Sequence, residues 1–238
     1  MKKIFFLIAV TVSSMLAAAQ KQLVVDANAE QRTLNGSFNA INVSDAIDLY
    51  LSQSDKEEIA VSASEERFKQ GIKTEIKDNT LMIYYEGDKG WTRRNKKMKA
   101  YVSFKDIDKL EASGASDIFV AGEIKGTSLY IKLSGASDFK GAVTVNTLKL
   151  DLSGASDVTI SGSASVVNIE SSGASDVKGF DLITDVCTAK ASGASDINIT
   201  VNKELNAHAS GASDILYKGE GLIKDIQSSG ASSVKKRN

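Results

Sequence analysis

The sequence predicts an all-β fold: a single-stranded parallel β-helix with coils of ~19 residues and a small N-terminal cap region holding both helix and strand. Three observations predict it. Ser-Gly-Ala-Ser-Asp occurs at Ser113–Asp117 and again from Ser134, Ser153, Ser172, Ser192 and Ser210, and a seventh copy at Ser229–Ser233 ends in Ser. A near-constant period that tolerates small insertions marks stacked coils rather than one globular core. The residues around each copy alternate apolar and polar, the period of a half-buried strand. The chain has no proline and only 6% aromatic residues, as a uniform stack of short strands requires.

The repeat aligns on its glycines, Gly114, Gly135, Gly154, Gly173, Gly193, Gly211 and Gly230. Six residues before the glycine stand Leu129, Leu148, Val167, Cys187 and Leu205 in the middle copies. Four before it stand Leu110, Ile131, Leu150, Ile169, Ala189, Ala207 and Ile226. The columns between these are polar, as in Lys149 and Asp151 or Asn206 and His208. Four residues after the glycine come Ile118, Phe139, Val158, Val177, Ile197, Ile215 and Val234. Each repeat therefore reads as strand, corner, strand, closed by a looser return such as Gly122–Gly126. One repeat cannot bury its own apolar face; stacking at roughly 4.8 Å turns these columns into a continuous core.

The corner residues carry separate expectations. The glycines serve a tight turn where a Cβ would clash. The alanines are expected to fit a narrow interior, and the serines to hydrogen-bond along the stack or to corner backbone. Asp117, Asp138, Asp157, Asp176, Asp196 and Asp214 form a ladder whose neighbours repel by roughly 1 kcal/mol per pair even in a water-like medium. Backbone N–H groups at the corner would offset that repulsion; cation binding between rungs is an alternative, and a catalytic carboxylate pair a weaker one, since any such ladder mimics a retaining glycosidase spacing.

Met1–Ala19 reads as a secretory signal peptide: two lysines, a short apolar run from Ile4 to Val12, then Ala17-Ala18-Ala19. The run is too short for a bilayer span and nothing later is apolar enough, so no transmembrane segment is expected. Residues 20–109 form the cap and first irregular coils, 110–234 the regular coils, and 235–238 a basic tail. Ser44-Asp45-Ala46-Ile47-Asp48 resembles a worn corner, so the stack is expected to begin there. Ile59–Ala63, Ile72–Ile76, Thr80–Tyr85 and Ala100–Phe104 read as strands, and Ser64–Gln70 as a helical turn with Ser64 as N-cap. Residues 87–99 fit no column. There Trp91, Arg93, Arg94, Lys96 and Lys97 read either as a solvated loop or as a site for an anionic polymer or sugar, Trp91 stacking and the arginines clamping.

Net charge is −1, which argues against a nucleic-acid partner. The single Cys187 falls in an apolar column and reads as a small buried hydrophobe. The only histidine, His208, sits in a polar column and reads as a solvated surface residue. One His and one distant Cys make no metal set, and no phosphate-cradling loop or nucleophile triad is evident, so no cofactor is expected.

Phe38–Val43 followed by Ala46–Leu49, then Leu81-Met82-Ile83, Val102-Ser103-Phe104 and the Ser-Gly-Ala-Ser-Asp series, resembles the head GIN domain family of exported bacterial proteins, frequent in Bacteroidetes and linked by name to autotransporter adhesins. The resemblance spans roughly Leu34 to Val234 and implies a right-handed, single-domain β-helix without an established biochemical activity. It defines no binding residues.

The functional expectation is a non-catalytic exported β-solenoid, an adhesin or a cell-envelope or glycan-binding protein in the periplasm or at the outer surface. Its partner would be envelope or extracellular polysaccharide. The first alternative is a pectinase-like polysaccharide lyase or hydrolase, since β-helices host such enzymes. That chemistry needs acids in unlike environments, whereas the Asp column offers like ones. The second alternative is a calcium-binding or structural ladder.

Overall fold

A computed structural model describes residues 25–87 and 96–237. The elements in chain order are β1 (Glu30–Arg32), β2 (Ala40–Val43), β3 (Ile47–Gln53), β4 (Glu58–Ser62), α1 (Glu66–Gly71), β5 (Ile72–Lys77), β6 (Thr80–Tyr85), β7 (Met98–Phe104) and β8 (Lys109–Ala112). Then follow β9 (Ile118–Leu133), β10 (Phe139–Leu152), β11 (Val158–Ser171), β12 (Val177–Ala191), β13 (Asp196–Gly211), β14 (Asp214–Lys218), β15 (Leu222–Gly230) and β16 (Ser233–Lys236). They wind into a parallel β-solenoid of about seven turns of roughly 19 residues.

The stack forms because each alternating strand has one apolar edge to hide. β9 through β13 pair in parallel, each with the next, so Leu129, Leu148, Val167, Cys187 and Leu205 lie one above another and are buried. The columns of Ile131 and of Ile118 do the same. A further buried column stands two residues before each glycine: Ala112, Leu133, Leu152, Ser171, Ala191 and Ala209.

Three expectations need correction. The return is not loose: Ile118–Leu133 is one strand that bends through Gly122–Gly126, so each coil is a corner plus one long strand. The unequal intervals between corners are absorbed within it. Phe119 pairs with Lys140 and Glu123 with Ala142, so β9 spends four residues where β10 spends two. The corners thus stay in register while the bulge takes up the difference. The helix also differs: its N-cap is Glu65, in extended conformation and without a side-chain cap.

The stack does not begin at the worn corner. β2 pairs in parallel with both β6 and β8, and β3 with both β7 and β9. The β2–β3 coil therefore lies between the β6–β7 coil and the β8–β9 coil, although it precedes both in sequence. Beyond β6–β7 the strands turn antiparallel: β5 covers β6, β4 covers β7, and β1 covers β4. Antiparallel cover closes an edge that a parallel coil would leave open for another chain. No described helix is long and apolar enough to cross a membrane.

Candidate functional site

The corner is the most regular part of the surface. Gly135, Gly154, Gly173 and their equivalents stack, each carbonyl accepting the amide of the alanine one coil on, as Ala155 to Gly135 at 2.8 Å. Their φ angles lie between +78° and +83°. At the worn corner Asp45 and Ala46 adopt φ of +64° and +61° without glycine, which non-glycine residues reach only at a cost.

The expected placement of alanine is overturned. Ala115, Ala136, Ala155, Ala174, Ala194 and Ala212 are not the inward residues; the serine that follows each one is. Ser116, Ser137, Ser156, Ser175, Ser195 and Ser213 are fully buried. Period two carries straight through the glycine, so Leu133, Ser137 and Phe139 all point inward. At the serine the inward side chain meets corner backbone, and a hydroxyl can bond there. Ser137 Oγ accepts the Ser116 amide at 3.2 Å and Ser175 Oγ the Ser156 amide at 3.1 Å, and so satisfy donors that burial would otherwise penalise.

The aspartates form a rail beside this corner. Asp117 Oδ1 accepts the Asp138 amide at 3.1 Å, Asp138 Oδ1 the Asp157 amide at 3.0 Å, Asp176 Oδ1 the Asp196 amide at 3.3 Å and Asp196 Oδ1 the Asp214 amide at 3.1 Å. The rail starts one coil earlier than the motif, at Asp48, which accepts from the Asp117 backbone. Burial raises the pKa of both Asp48 and Asp117, and the neighbouring carboxylate adds to the rise. Lys178 Nζ offsets part of the charge at Asp157, 2.9 Å away. Among the described residues no three acidic, imidazole or thiol groups converge as a metal site; the carboxylates are spread along a line.

Of the basic segment, Trp91, Arg93 and Arg94 lie outside the described residues. Lys96 stands 4.0 Å from the Tyr85 ring centroid and 5.6 Å from that of Phe68, so its cation is held over rings of the cap. Lys97 is exposed.

Sequence reasoning missed a groove of about 660 Å³ on the face of the incoming strands, lined by Asp151, Glu170, Lys190, His208 and the outward serines Ser172, Ser192 and Ser210. Its polar side chains are already paired. Lys190 Nζ lies 3.1 Å from Glu170 Oε1, His208 Nε2 lies 3.3 Å from Asp225 Oδ2, and the Tyr130 hydroxyl donates to Asp151 Oδ2 at 3.0 Å. Burial first and the Asp151 carboxylate second push the Tyr130 hydroxyl up to about 12. His208 is therefore a groove residue with a bonded partner rather than a freely solvated one. The signal was in the columns: three and five residues before the glycine, both outward, are close enough to pair diagonally. The outward aromatics Tyr101, Tyr50 and Phe119 stack on one another at 5.3 and 5.1 Å between centroids, so most of their faces are turned to each other and not to solvent.

These features define an all-β parallel solenoid with a small-residue corner and a polar groove running along its axis. Residues 37–221 match the family described as "Putative auto-transporter adhesin, head GIN domain", and the chain belongs to that family. No curated protein matches it. Among solved structures it is similar to a "putative adhesin" from Bacteroides fragilis, at 22% identity and TM-score 0.79, covering 88% of this chain and 96% of that one. A "putative adhesin" from Parabacteroides distasonis aligns at 21% identity and TM-score 0.71, covering 88% and 96%. A "putative lipid binding protein" from the same species aligns at 21% identity and TM-score 0.64, covering 90% and 98%. At such identities the likeness shows the fold.

Proposed function

We propose that the protein is an exported, non-catalytic adhesin that holds an extended envelope or extracellular polysaccharide along the groove. The observation that carries this reading is the internally paired lining: Glu170 with Lys190 as an ion pair, Asp225 with His208, and Asp151 with the Tyr130 hydroxyl by a hydrogen bond. Charges already paired leave the ladder of serine hydroxyls as the adaptable contacts. The groove repeats every rung, at about 4.8 Å, so it presents one set of donors and acceptors after another along a chain of sugar units. A neutral, hydroxyl-rich polymer suits such a lining better than an anionic one, because no unpaired cation waits for a carboxylate.

Glycoside cleavage asks for two acids in contrasting environments, one held protonated, and each groove acid here already has a hydrogen-bonding partner. A glycan array and a pull-down with envelope polysaccharide test the proposal. The expected result is retention of neutral glycans by the native chain and loss of retention by Ser192→Trp, which fills the groove from an exposed rung. Release of unsaturated or reducing ends from a polymer would overturn it in favour of an enzyme.

A further inference from the structure

The last winding breaks the pattern of burial. Ile226 continues the column of Ala189 and Ala207, and Ile223 that of Cys187 and Leu205. Those four are buried, yet Ile226 is 38% exposed, Ile223 48% and the adjacent Leu222 69%. β15 pairs with β13 and β16 with β14; among the described residues no strand pairs with the other edge of either. At the opposite end β5, β4 and β1 cover the first coil with antiparallel strands, so a head-to-tail neighbour would find no parallel template there.

The geometry points to a second copy of this chain docked end to end on this winding, related by a two-fold axis through the Gly230 corner. β15 runs toward that corner and β16 runs away from it. The rotation lays β15 of each copy antiparallel against β16 of the other, and residues equally distant from Gly230 face each other. Ile226 meets Val234 of the second copy, and both belong to inward columns. Asp225 meets Lys235 of the second copy, and both belong to outward columns. At these two positions apolar meets apolar and acid meets base on matching faces, while Lys224 falls opposite Lys236; a slip of one residue would set inward against outward throughout. Pairing β16 with its own copy would instead crowd Lys235, Lys236 and Arg237 together. The other lysines near the seam already have counterions: Lys236 has Glu220 at 3.5 Å and Lys224 has Glu204 at 3.8 Å.

The rail of aspartates agrees. In the interior Asp117, Asp138, Asp176 and Asp196 accept the amide of the following coil, but at this rung Ser233 replaces Asp and donates to Asp214 at 2.7 Å. A further parallel rung would find no carboxylate for its amide, whereas an antiparallel strand makes no such demand. The dimer is isologous and closed, which converts an open β edge into a finite assembly.

Sedimentation equilibrium of the purified chain across a concentration series tests this. The expected result is a reversible monomer–dimer equilibrium. Asp225→Lys alone and Lys235→Asp alone should each weaken the dimer about tenfold, and the two together should restore it. Asp225 also holds His208, so each single variant is checked by its melting curve, and the double variant carries the decision. Asp225→Cys with Lys235→Cys should give an interchain disulfide on oxidation, while buried Cys187 stays reduced. A monomer at every concentration, open-ended oligomers, or a dimer indifferent to both pairs of substitutions would overturn the proposal.

Discussion

The carbonyl of Gly135 accepts the Ala155 amide at 2.8 Å, and a methyl group on Gly154 would lie 2.4 Å from that same oxygen. One coil's backbone thus fills the space where the next coil's side chain would begin. The corner excludes side chains for two reasons at once: a left-handed φ of +83° at Gly154 and a neighbour that is backbone and cannot step aside.

The two reasons separate by position. Gly154→Ala meets both and should cost about 3 kcal/mol or more. Gly114→Ala meets the backbone conformation alone, since its nearest new contact is 3.5 Å away, and should cost about 1–2 kcal/mol. Gly126→Ala meets open space and should stay within about 0.5 kcal/mol of native. Urea unfolding of the three variants checks the order; equal losses at Gly114 and Gly154 would show that crowding by the neighbouring coil is immaterial.

Ser156→Ala removes a buried acceptor. The Ser137 amide, 3.4 Å from Ser156 Oγ, is left without it, at an expected cost of about 1–3 kcal/mol. The adjacent Ala155→Ser faces solvent and should change stability by less than about 0.5 kcal/mol. Denaturant midpoints for the pair settle which residue of Ala-Ser points inward.

Asp48 and Asp117 both titrate above the ordinary value of 3.8, because burial and then the adjacent carboxylate disfavour the charged form. A raised folded-state pKa adds stability that is complete below the unfolded value and is lost as pH rises through the folded one. Asp117→Asn keeps the oxygen that accepts the Asp138 amide and removes the charge. Its melting temperature should match native near pH 3 and exceed it near pH 7 by about 2–4 °C, the equivalent of ~1 kcal/mol in a chain of this size. A difference largest at pH 3 would contradict the assigned cause.

Cys187 is fully buried, and burial pushes its thiol up to about 12. At pH 8 the thiolate that reacts is scarce and sealed off. Thiol reagents should label the native chain no faster than it opens, and at the ordinary rate once a strong denaturant has unfolded it; fast labelling of the native chain would mean that this column is accessible.

The regular coils were legible because their columns repeat. Leu148, Ile169 and Val158 could be assigned inward on period alone, and the structure buries all three. The placement of alanine and serine in the corner was also contained in the columns, since period two carried through Gly135 sets Ser137 inward with Leu133 and Phe139. Apolarity alone pointed to alanine, because the backbone donors that a buried hydroxyl serves exist only in the folded corner. The pairing of His208 with Asp225 is present in the columns but is missed when they are read one at a time: it joins two outward columns of adjacent coils diagonally. The position of the β2–β3 coil was hidden. The worn corner at Ser44–Asp48 is legible as a corner, but which coils flank it depends on β6 and β7, well downstream in the chain.

Because β2 and β3 are sandwiched between windings made from later sequence, the earliest part of the rod to be synthesised cannot settle until two further stretches arrive. Growth of the rod therefore cannot simply proceed from the amino end as the chain emerges. A trapped or truncated product ending before about Thr80 would present Ile41, Val43, Leu49 and Leu51 without a paired coil on either side, a state that chaperones rather than the rod itself would have to shelter.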